Sequence, residues 1–206
     1  DLGTASLVSI AGLAVIFFAG INAKLVTACC AIGIALMPLL WTMLHDYQRE
    51  RILTLIDPTL DPLGKGFYTL QALIAIGSGG LSGKGWMEGT QAHLDFIPER
   101  TSDFIFAVFG EEFGFVGGVL LLILYLSLIA RSFYIAAHAR SRYARLLAAA
   151  IGVIFFTYSF VNIGMVSGIL PVVGVPLPFM SYGGTALLIL GICTGILLSI
   201  SVDAKD

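Results

Sequence analysis

Residues 104–130 read FIFAVFGEEFGFVGGVLLLILYLSLIA, an apolar run whose only acidic or basic side chains are Glu111 and Glu112. A helix needs about 20 consecutive apolar residues to cross the hydrocarbon core of a bilayer, so this run is long enough to span a membrane. Acidic side chains at that depth are costly and usually face a cavity or a partner. The run therefore predicts a membrane-spanning helix that carries two candidate functional residues.

Four further apolar segments flank this run: Ala5–Ile21, Leu25–Leu44, Leu146–Leu170 and Thr185–Ser201. Hydrophobic residues make up 58% of the chain and charged residues 12%, a balance typical of lipid-facing helices. We therefore predict an all-α polytopic membrane protein with five transmembrane helices. Residues 1–44 would form a two-span hairpin, 45–103 a large polar loop with short helices, and 104–206 a three-span segment. No basic stripe interleaved with aromatic residues occurs, which argues against a nucleic-acid partner.

Basic residues in the connections orient these spans. The connection after the third span carries four arginines and no acid: Arg131, Arg140, Arg142 and Arg145. Lys24 in the first hairpin and Lys205 after the last span fall on the same side by alternation. The positive-inside rule makes that side cytoplasmic. The loop 45–103 and the proline-rich connection Pro171–Gly184 are then extracytoplasmic.

The large loop contains its own structural signals. Tyr47–Ile56 is predicted as a short helix that ends at Asp57-Pro58. Phe67–Ile76 is apolar but too short to span a membrane, and a glycine-rich stretch follows it, so we expect a re-entrant or interfacial helix. A structureless loop of this length would be unusual unless it were functional. We expect the loop to pack over the bundle.

Asp103 stands where the loop re-enters the membrane. A carboxylate half out of water has its charged form disfavoured, which suits a general base. Ser102 and Asp103 directly before an apolar run are equally typical of a helix N-cap. The adjacent Glu111 and Glu112 point about 100° apart on a helix, so both are not expected to face one site. Either can serve the site or pair with loop groups.

Three basic residues of the loop, Lys65, Lys84 and Arg100, are candidates for binding a phosphate or pyrophosphate. The alternative is that they are solvated charges balanced by the acids of the loop: Asp57, Asp61, Glu88 and Asp95. Trp86 and His93 can stack on a substrate or anchor the loop at the membrane interface. His93 has no second ligand at useful spacing, so no metal site is predicted.

The segment from Asn162 to Ala186 breaks the helix pattern at membrane depth with three prolines and several glycines. Irregular backbone persists there only where it is buried in protein or lines a wet cavity. Asn162 and Ser167 place polar groups on the preceding helix. Residues 181–184 can present backbone donors at the start of the last span.

This segment, NIGMVSGILPVVGVPLPFMSYGGTA, resembles the signature of the SEDS family, the membrane proteins of shape, elongation, division and sporulation. Four other stretches agree with that resemblance: residues 1–4 (DLGT), 45–49 (HDYQR), 76–85 (IGSGGLSGKG) and 98–106 (PERTSDFIF). The similarity covers essentially the whole chain. It favours the elongation branch, the RodA-type proteins, over the division branch.

The resemblance implies a single membrane domain of ten spans in the bacterial cytoplasmic (inner) membrane. The five spans predicted here would be spans six to ten, the C-terminal half, and residues 45–103 the extracytoplasmic loop between spans seven and eight. The spans that precede them are expected before Asp1.

The resemblance also implies a peptidoglycan glycosyltransferase that joins lipid II units into glycan strands for cell elongation and rod shape. Its partners would be a class B penicillin-binding protein and other elongation-complex proteins. Asp103 falls on the carboxylate regarded as essential in the family.

The implied reaction needs a base for the attacking sugar hydroxyl and cations for the departing pyrophosphate. Asp103 is the candidate base. The candidate substrate-binding residues are Lys65, Lys84, Arg100, Glu112, Asn162 and Ser181, with or without a divalent Mg²⁺ or Mn²⁺.

Two alternatives stay open at this point, a lipid II flippase and a non-catalytic scaffold for the penicillin-binding protein. A carboxylate at the outer boundary favours chemistry, whereas alternating access predicts charges near the midplane.

Overall fold

The computed structural model describes residues 2–43, 45, 48–49, 53, 65–93 and 99–204, and every regular element in these ranges is helical. The helices are α1 (Leu2–Phe18), α2 (Ala23–Met43), α3 (Lys65–Ser78), α4 (Thr90–His93), α5 (Ile105–His138), α6 (Arg142–Val166) and α7 (Gly184–Asp203). The all-α prediction is therefore confirmed for the described part of the chain. The predicted helix Tyr47–Ile56 lies largely outside that part.

Three helices are long and apolar enough to cross a membrane. They are α5, α6 and α7, with 34, 25 and 20 residues. The last three predicted spans are therefore confirmed as helices. The apolar stretches described in α1 and α2, Leu7–Phe18 and Lys24–Leu39, are shorter than a full span. The count of five spans stays a prediction.

The boundary between α5 and α6 differs from the prediction. Helix α5 continues to His138 instead of ending at Ala130, because residues 131–138 contain no glycine or proline to stop it. Helix α6 begins at Arg142, where the hydroxyl of Ser141 accepts a hydrogen bond from the Ala144 amide at 3.0 Å. Only residues 139–141 separate the two helices, which therefore pack side by side and antiparallel.

Helix α6 ends at Val166, four residues before the predicted end at Leu170. Gly168 has a φ of +70°, a left-handed conformation that closes helices. The amides of Ile169 and Leu170 donate to the Gly164 carbonyl at 2.8 and 3.0 Å. These bonds turn the chain into the proline-rich segment.

The interface between α5 and α6 is the centre of the bundle, with α3 packed on α5 and α1 packed on α6. The first hydrophobic core joins α3, α5, the end of α6 and the proline-rich segment through Ala72, Ala75, Phe104, Ala107, Met165, Val166 and Leu177. The second joins α5, α6 and α7 through Ile135, Ala148, Phe155, Leu190 and Leu197. Buried alanines let the helices approach closely, which explains why the apolar segment predicted at Phe67–Ile76 docks as α3.

Large apolar side chains stay on the outside of the bundle. Leu120, Leu124 and Leu126 of α5 are 58%, 64% and 61% exposed. A soluble protein rarely leaves so continuous an apolar surface in water, whereas a bilayer covers it. The chain is therefore part of a multi-pass membrane protein.

Candidate active site

Helix α5 is broken at Gly114, which has φ +64° and ψ −162°. In an unbroken helix the amides of Phe115 and Val116 would donate to the carbonyls of Glu111 and Glu112. The break therefore leaves two donors and two acceptors without their intrahelical partners, and apolar surroundings make that costly.

The glycine-rich segment after α3 supplies all four missing partners. The amides of Phe115 and Val116 donate to the carbonyls of Gly80 and Leu81 at 2.9 and 3.1 Å. The amides of Lys84 and Gly85 donate to the carbonyls of Glu111 and Glu112 at 3.0 and 3.1 Å. Residues 80–85 thus take the place of one turn of helical hydrogen bonding; we call this arrangement the splice.

Close backbone contact is what requires glycine in the splice. A Cβ atom on Gly83 would overlap the carbonyl of Glu112, and one on Gly114 would overlap the amide nitrogen of Gly83. Both residues also have positive φ, +80° and +64°. The sequence pattern predicted a glycine-rich stretch after a re-entrant or interfacial helix but gave no sign that this stretch pairs with the broken turn of α5.

Glu111 fixes the same loop with its side chain. The carboxylate is fully buried, and its Oε1 atom accepts from Nζ of Lys84 at 2.6 Å, Oγ1 of Thr90 at 3.1 Å and the Gln91 amide at 3.1 Å. Oγ of Ser78 lies 3.4 Å from the same atom. We call this cluster the Glu111 clasp. It joins the end of α3, the glycine-rich segment and α4 to helix α5.

Two predicted site residues, Lys84 and Glu112, belong to this region. The Lys84 amine is committed to Glu111 and to the Thr90 hydroxyl at 2.8 Å, and its side chain is 27% exposed. Glu112 is buried beneath the loop, and a Cβ on Gly89 would lie 2.9 Å from Oε2 of Glu111 and 3.4 Å from Cγ of Glu112. The two glutamates, not expected to face one site, therefore both lie against Gly89. The predicted substrate-binding role of Lys84 and Glu112 stays a prediction.

Asp103 lies at the N-terminal end of α5, in a turn that precedes the helix. The N-cap position is occupied by Phe104 and not by Ser102 or Asp103. The Ser102 hydroxyl donates to the Glu99 carbonyl at 3.2 Å, within the turn itself. The simple N-cap interpretation of Ser102 and Asp103 is therefore wrong in position.

Asn162 of α6 holds the backbone at Asp103. It is fully buried, and its Nδ2 atom donates to the Asp103 carbonyl at 2.8 Å and to the Val175 carbonyl at 2.6 Å. One side-chain amide therefore ties the start of α5 to the proline-rich segment.

Ser181 makes a second tie between the same two segments. Its hydroxyl donates to the Ser102 carbonyl at 2.6 Å and accepts from the Leu177 amide at 2.7 Å. The amide of Tyr182 donates to the Thr101 carbonyl at 2.8 Å. Residues 101–103 are thus fixed on the proline-rich segment by neutral hydrogen bonds to their main chain.

The carboxylate of Asp103 lies beside Gly174. A Cβ atom on Gly174 would stand 3.2 Å from Oδ2 of Asp103, and Gly174 has a φ of +75°. The absence of a side chain at this position lets the carboxylate pack closely against the proline-rich segment. Sequence inspection identified the glycine-rich character of the segment but not this individual contact.

The structure therefore brings together three predicted residues, Asp103, Asn162 and Ser181. The contacts of Asn162 and Ser181 go to main-chain carbonyls, so both position the Asp103 turn, and their binding of substrate stays a prediction. Arg100 lies half-buried in the same turn. Lys65 is the first residue of α3, and its side chain lies outside the described part.

The remaining candidates are placed less centrally. Trp86 is 71% exposed and its ring lies 5.8 Å from that of Phe113, so it packs on the start of α5. The side chain of His93 lies outside the described part. Within the ranges that the structure describes, no three His, Cys, Asp or Glu residues cluster as metal ligands would. Binding of Mg²⁺ or Mn²⁺ stays a prediction.

Comparison with known proteins identifies the fold. The sequence profile of the FtsW/RodA/SpoVE cell cycle proteins matches residues 1–206. This chain belongs to that family. The resemblance to SEDS proteins predicted from the motifs is therefore confirmed over the whole chain.

Individual relatives agree with the family. The peptidoglycan glycosyltransferase MrdB of Escherichia coli (strain K12) is 53% identical over 206 residues, all of this chain and 56% of that protein. The peptidoglycan glycosyltransferase RodA of Treponema pallidum is 42% identical over 159 residues, 77% of this chain and 37% of that protein. The chain spans about half the length of the curated relatives it matches.

A solved structure shares the arrangement of helices. It is described as the structural coordination of polymerization and crosslinking by a peptidoglycan synthase complex, and it matches with a TM-score of 0.80 and 32% identity. The match covers 99% of this chain and 56% of that one. The family fold and the observed helices thus agree.

Proposed function

We propose that the protein containing this chain is a peptidoglycan glycosyltransferase that polymerises lipid II, with Asp103 as its general base. One observation carries the proposal. Two buried side chains, Asn162 and Ser181, fix the main chain of residues 102–103 against the proline-rich segment, and Gly174 lets the carboxylate approach that segment closely. A residue that only capped a helix would not need this support.

The proposed reaction is a displacement at a sugar carbon. The 4-hydroxyl of one sugar attacks the anomeric carbon of another and forms the new C–O bond. The bond from that carbon to the lipid pyrophosphate breaks, and its electron pair leaves with the pyrophosphate. Asp103 accepts the hydroxyl proton. Arg100, in the same turn, is a candidate to hold the departing pyrophosphate, because guanidinium pairs well with phosphate oxygens.

The lipid tail of the substrate has a suitable place beside α5. A groove of about 400 Å³ runs along this helix, lined by Phe106, Val119 and Leu122 and by the bare backbone of Gly110, Gly114 and Gly118. Apolar walls and an absence of side chains suit a polyprenyl chain. We assign the tail to this groove.

The proposal includes the wider assembly. We infer five spans in this chain, the bacterial inner membrane as location and the loop 45–103 on the outer face, because the basic connections lie at the opposite end. A class B penicillin-binding protein is the proposed partner; support comes from the likeness to the peptidoglycan synthase complex. Glu111 is fully buried and accepts hydrogen bonds from the loop, which favours a structural role for this acid over a place on a flippase path.

The test replaces the carboxylate without changing its size. In the full-length protein with its penicillin-binding partner, Asp103→Asn should abolish glycan polymerisation from purified lipid II, because an amide cannot take the proton. Asp203→Asn, at the far end of α7, is the matched control and should polymerise normally. Normal polymer from Asp103→Asn would exclude Asp103 as the base, and complex formation measured on both variants separates chemistry from assembly.

A further inference from the structure

A second cavity lies at the end of α5 opposite Asp103. It has a volume of about 530 Å³ and is bounded by the end of α1, the end of α5 and the start of α6. Its polar lining comes from three arginines: Arg140, Arg142 and Arg145. Its apolar lining includes Phe18, Phe133 and Leu146.

The arginines carry positive charge that the described chain does not neutralise. Among the residues that the structure describes, none of the three contacts a carboxylate; the ion pair found there is Lys84–Glu111. Arg142 donates to the Ala19 carbonyl at 2.8 Å, which ties α1 to the start of α6 and fixes one guanidinium at the cavity. Three cationic side chains line one cavity, which favours an anionic ligand there.

The apolar side of the cavity favours an anion that also carries a hydrocarbon part. The rings of Phe18 and Phe133 lie 6.0 Å apart and form a wall that joins α1 to α5. This wall lies near the ends of α1 and α5, and in the predicted orientation these ends face the cytoplasmic head groups, where phosphates meet acyl chains. A free anion would satisfy the arginines and leave the aromatic wall in water.

We propose that this cavity binds the phosphodiester head group of an anionic phospholipid, with the upper part of an acyl chain against Phe18 and Phe133. Basic pockets between transmembrane helices bind such head groups. The guanidinium groups match phosphate oxygens in pairs, and the aromatic wall contacts the chain. The site is separate from the proposed reaction at Asp103, and it would tie the helix connection to the lipid surface.

The test uses the full-length protein stripped of lipid in a nonionic detergent and titrated with phosphatidylglycerol, with bound lipid counted by native mass spectrometry. Arg140→Gln with Arg145→Gln removes two charges and leaves the Arg142–Ala19 bond in place. Each arginine near an anionic surface gives about a fivefold gain in affinity, so the double variant should bind roughly 25-fold more weakly. The melting temperature of each variant, measured without lipid, shows that the fold is intact.

Arg131→Gln is the matched control, because Arg131 lies on the same helix end but over the Tyr134 ring at 5.1 Å and not in the cavity. Equal weakening by this control would overturn the proposal in favour of general surface charge. Phosphatidylethanolamine bound as tightly as phosphatidylglycerol would overturn it in favour of apolar fit alone. Full competition by millimolar glycerol phosphate or inorganic phosphate would assign the cavity to a free anion instead. Unchanged lipid binding in the double variant would assign the arginines to another anion, an acidic protein segment included.

Discussion

Two acidic residues mark the start of α5, Glu111 within the helix and Asp103 in the turn before it, and their surroundings differ. At the Glu111 clasp the carboxylate itself is the structural element, buried and surrounded by donors from the loop. At Asp103 the described contacts of Asn162 and Ser181 go to main-chain carbonyls. The comparison contrasts two uses of buried polar groups: around Glu111 they bind the carboxylate, and around Asp103 the side chains of Asn162 and Ser181 position the backbone of the turn.

The strongest test of this contrast removes the structural acid. Glu111→Ala should lower the free energy of unfolding by about 3 kcal/mol, because it leaves Lys84, Thr90 and the Gln91 amide without their shared acceptor. Chemical unfolding of the purified full-length protein measures the change. Glu88→Ala, an exposed acid of the same loop, is the control and should stay within about 0.5 kcal/mol of the wild type. Similar losses in both variants would mean that the clasp contributes little.

A smaller effect is expected from the tie that positions Asp103. Asn162→Ala leaves two carbonyls without their donor, which should cost about 2 kcal/mol of unfolding free energy. It should also slow polymerisation roughly tenfold or more, because the Asp103 turn loses its fixed position.

Helix α6 offers a matched control for this variant. Ser159 is buried three residues earlier, and its hydroxyl has no hydrogen-bond partner among the described residues. Ser159→Ala should therefore change neither stability nor polymerisation appreciably. If Asn162→Ala polymerises at the wild-type rate despite its lower stability, Asn162 is purely structural.

The smallest change in stability is expected at Gly174. Gly174→Ala places a methyl group beside Oδ2 of Asp103 at a positive φ, which should cost about 1 kcal/mol. Polymerisation should fall more than this cost implies, by roughly tenfold, since the methyl group intrudes on the proposed base. Gly183→Ala, whose Cβ would meet Ala186 at an ordinary 3.7 Å, is the control. Equal rates in the two variants would show that polymerisation does not depend on the close approach of Gly174 to Asp103.

These two regions also show what the sequence could predict. The long apolar helices follow directly from uninterrupted hydrophobic runs, and Asp103, Asn162 and Ser181 were singled out by their positions around the broken segment. Their mutual contacts were not foreseen, because a polar residue in a sequence does not reveal whether its acceptor is a substrate or a distant carbonyl.

The break in α5 was missed for a related reason. The sequence of residues 104–130 is typical of one continuous helix. The hydrogen bonds that stabilise a break at Gly114 come from residues 80–85, far away in the sequence. The sequence around Gly114 therefore does not show which distant residues supply the missing hydrogen bonds. The helix ends were misjudged in both directions: α5 continues beyond its apolar run to His138, whereas α6 ends within its run at Val166.

The splice has a consequence for how this membrane protein is made. Residues 80–85 leave the ribosome before residues 111–116, so the hydrogen-bond partners of the broken turn are synthesised first. They must be close to α5 when it folds. Without them, the broken turn of α5 would leave four backbone groups unbonded, each costing several kcal/mol in apolar surroundings. Helix α5 therefore reaches its final hydrogen bonding only when the preceding glycine-rich segment packs against it. We expect these two parts of the chain to fold together and not one after the other.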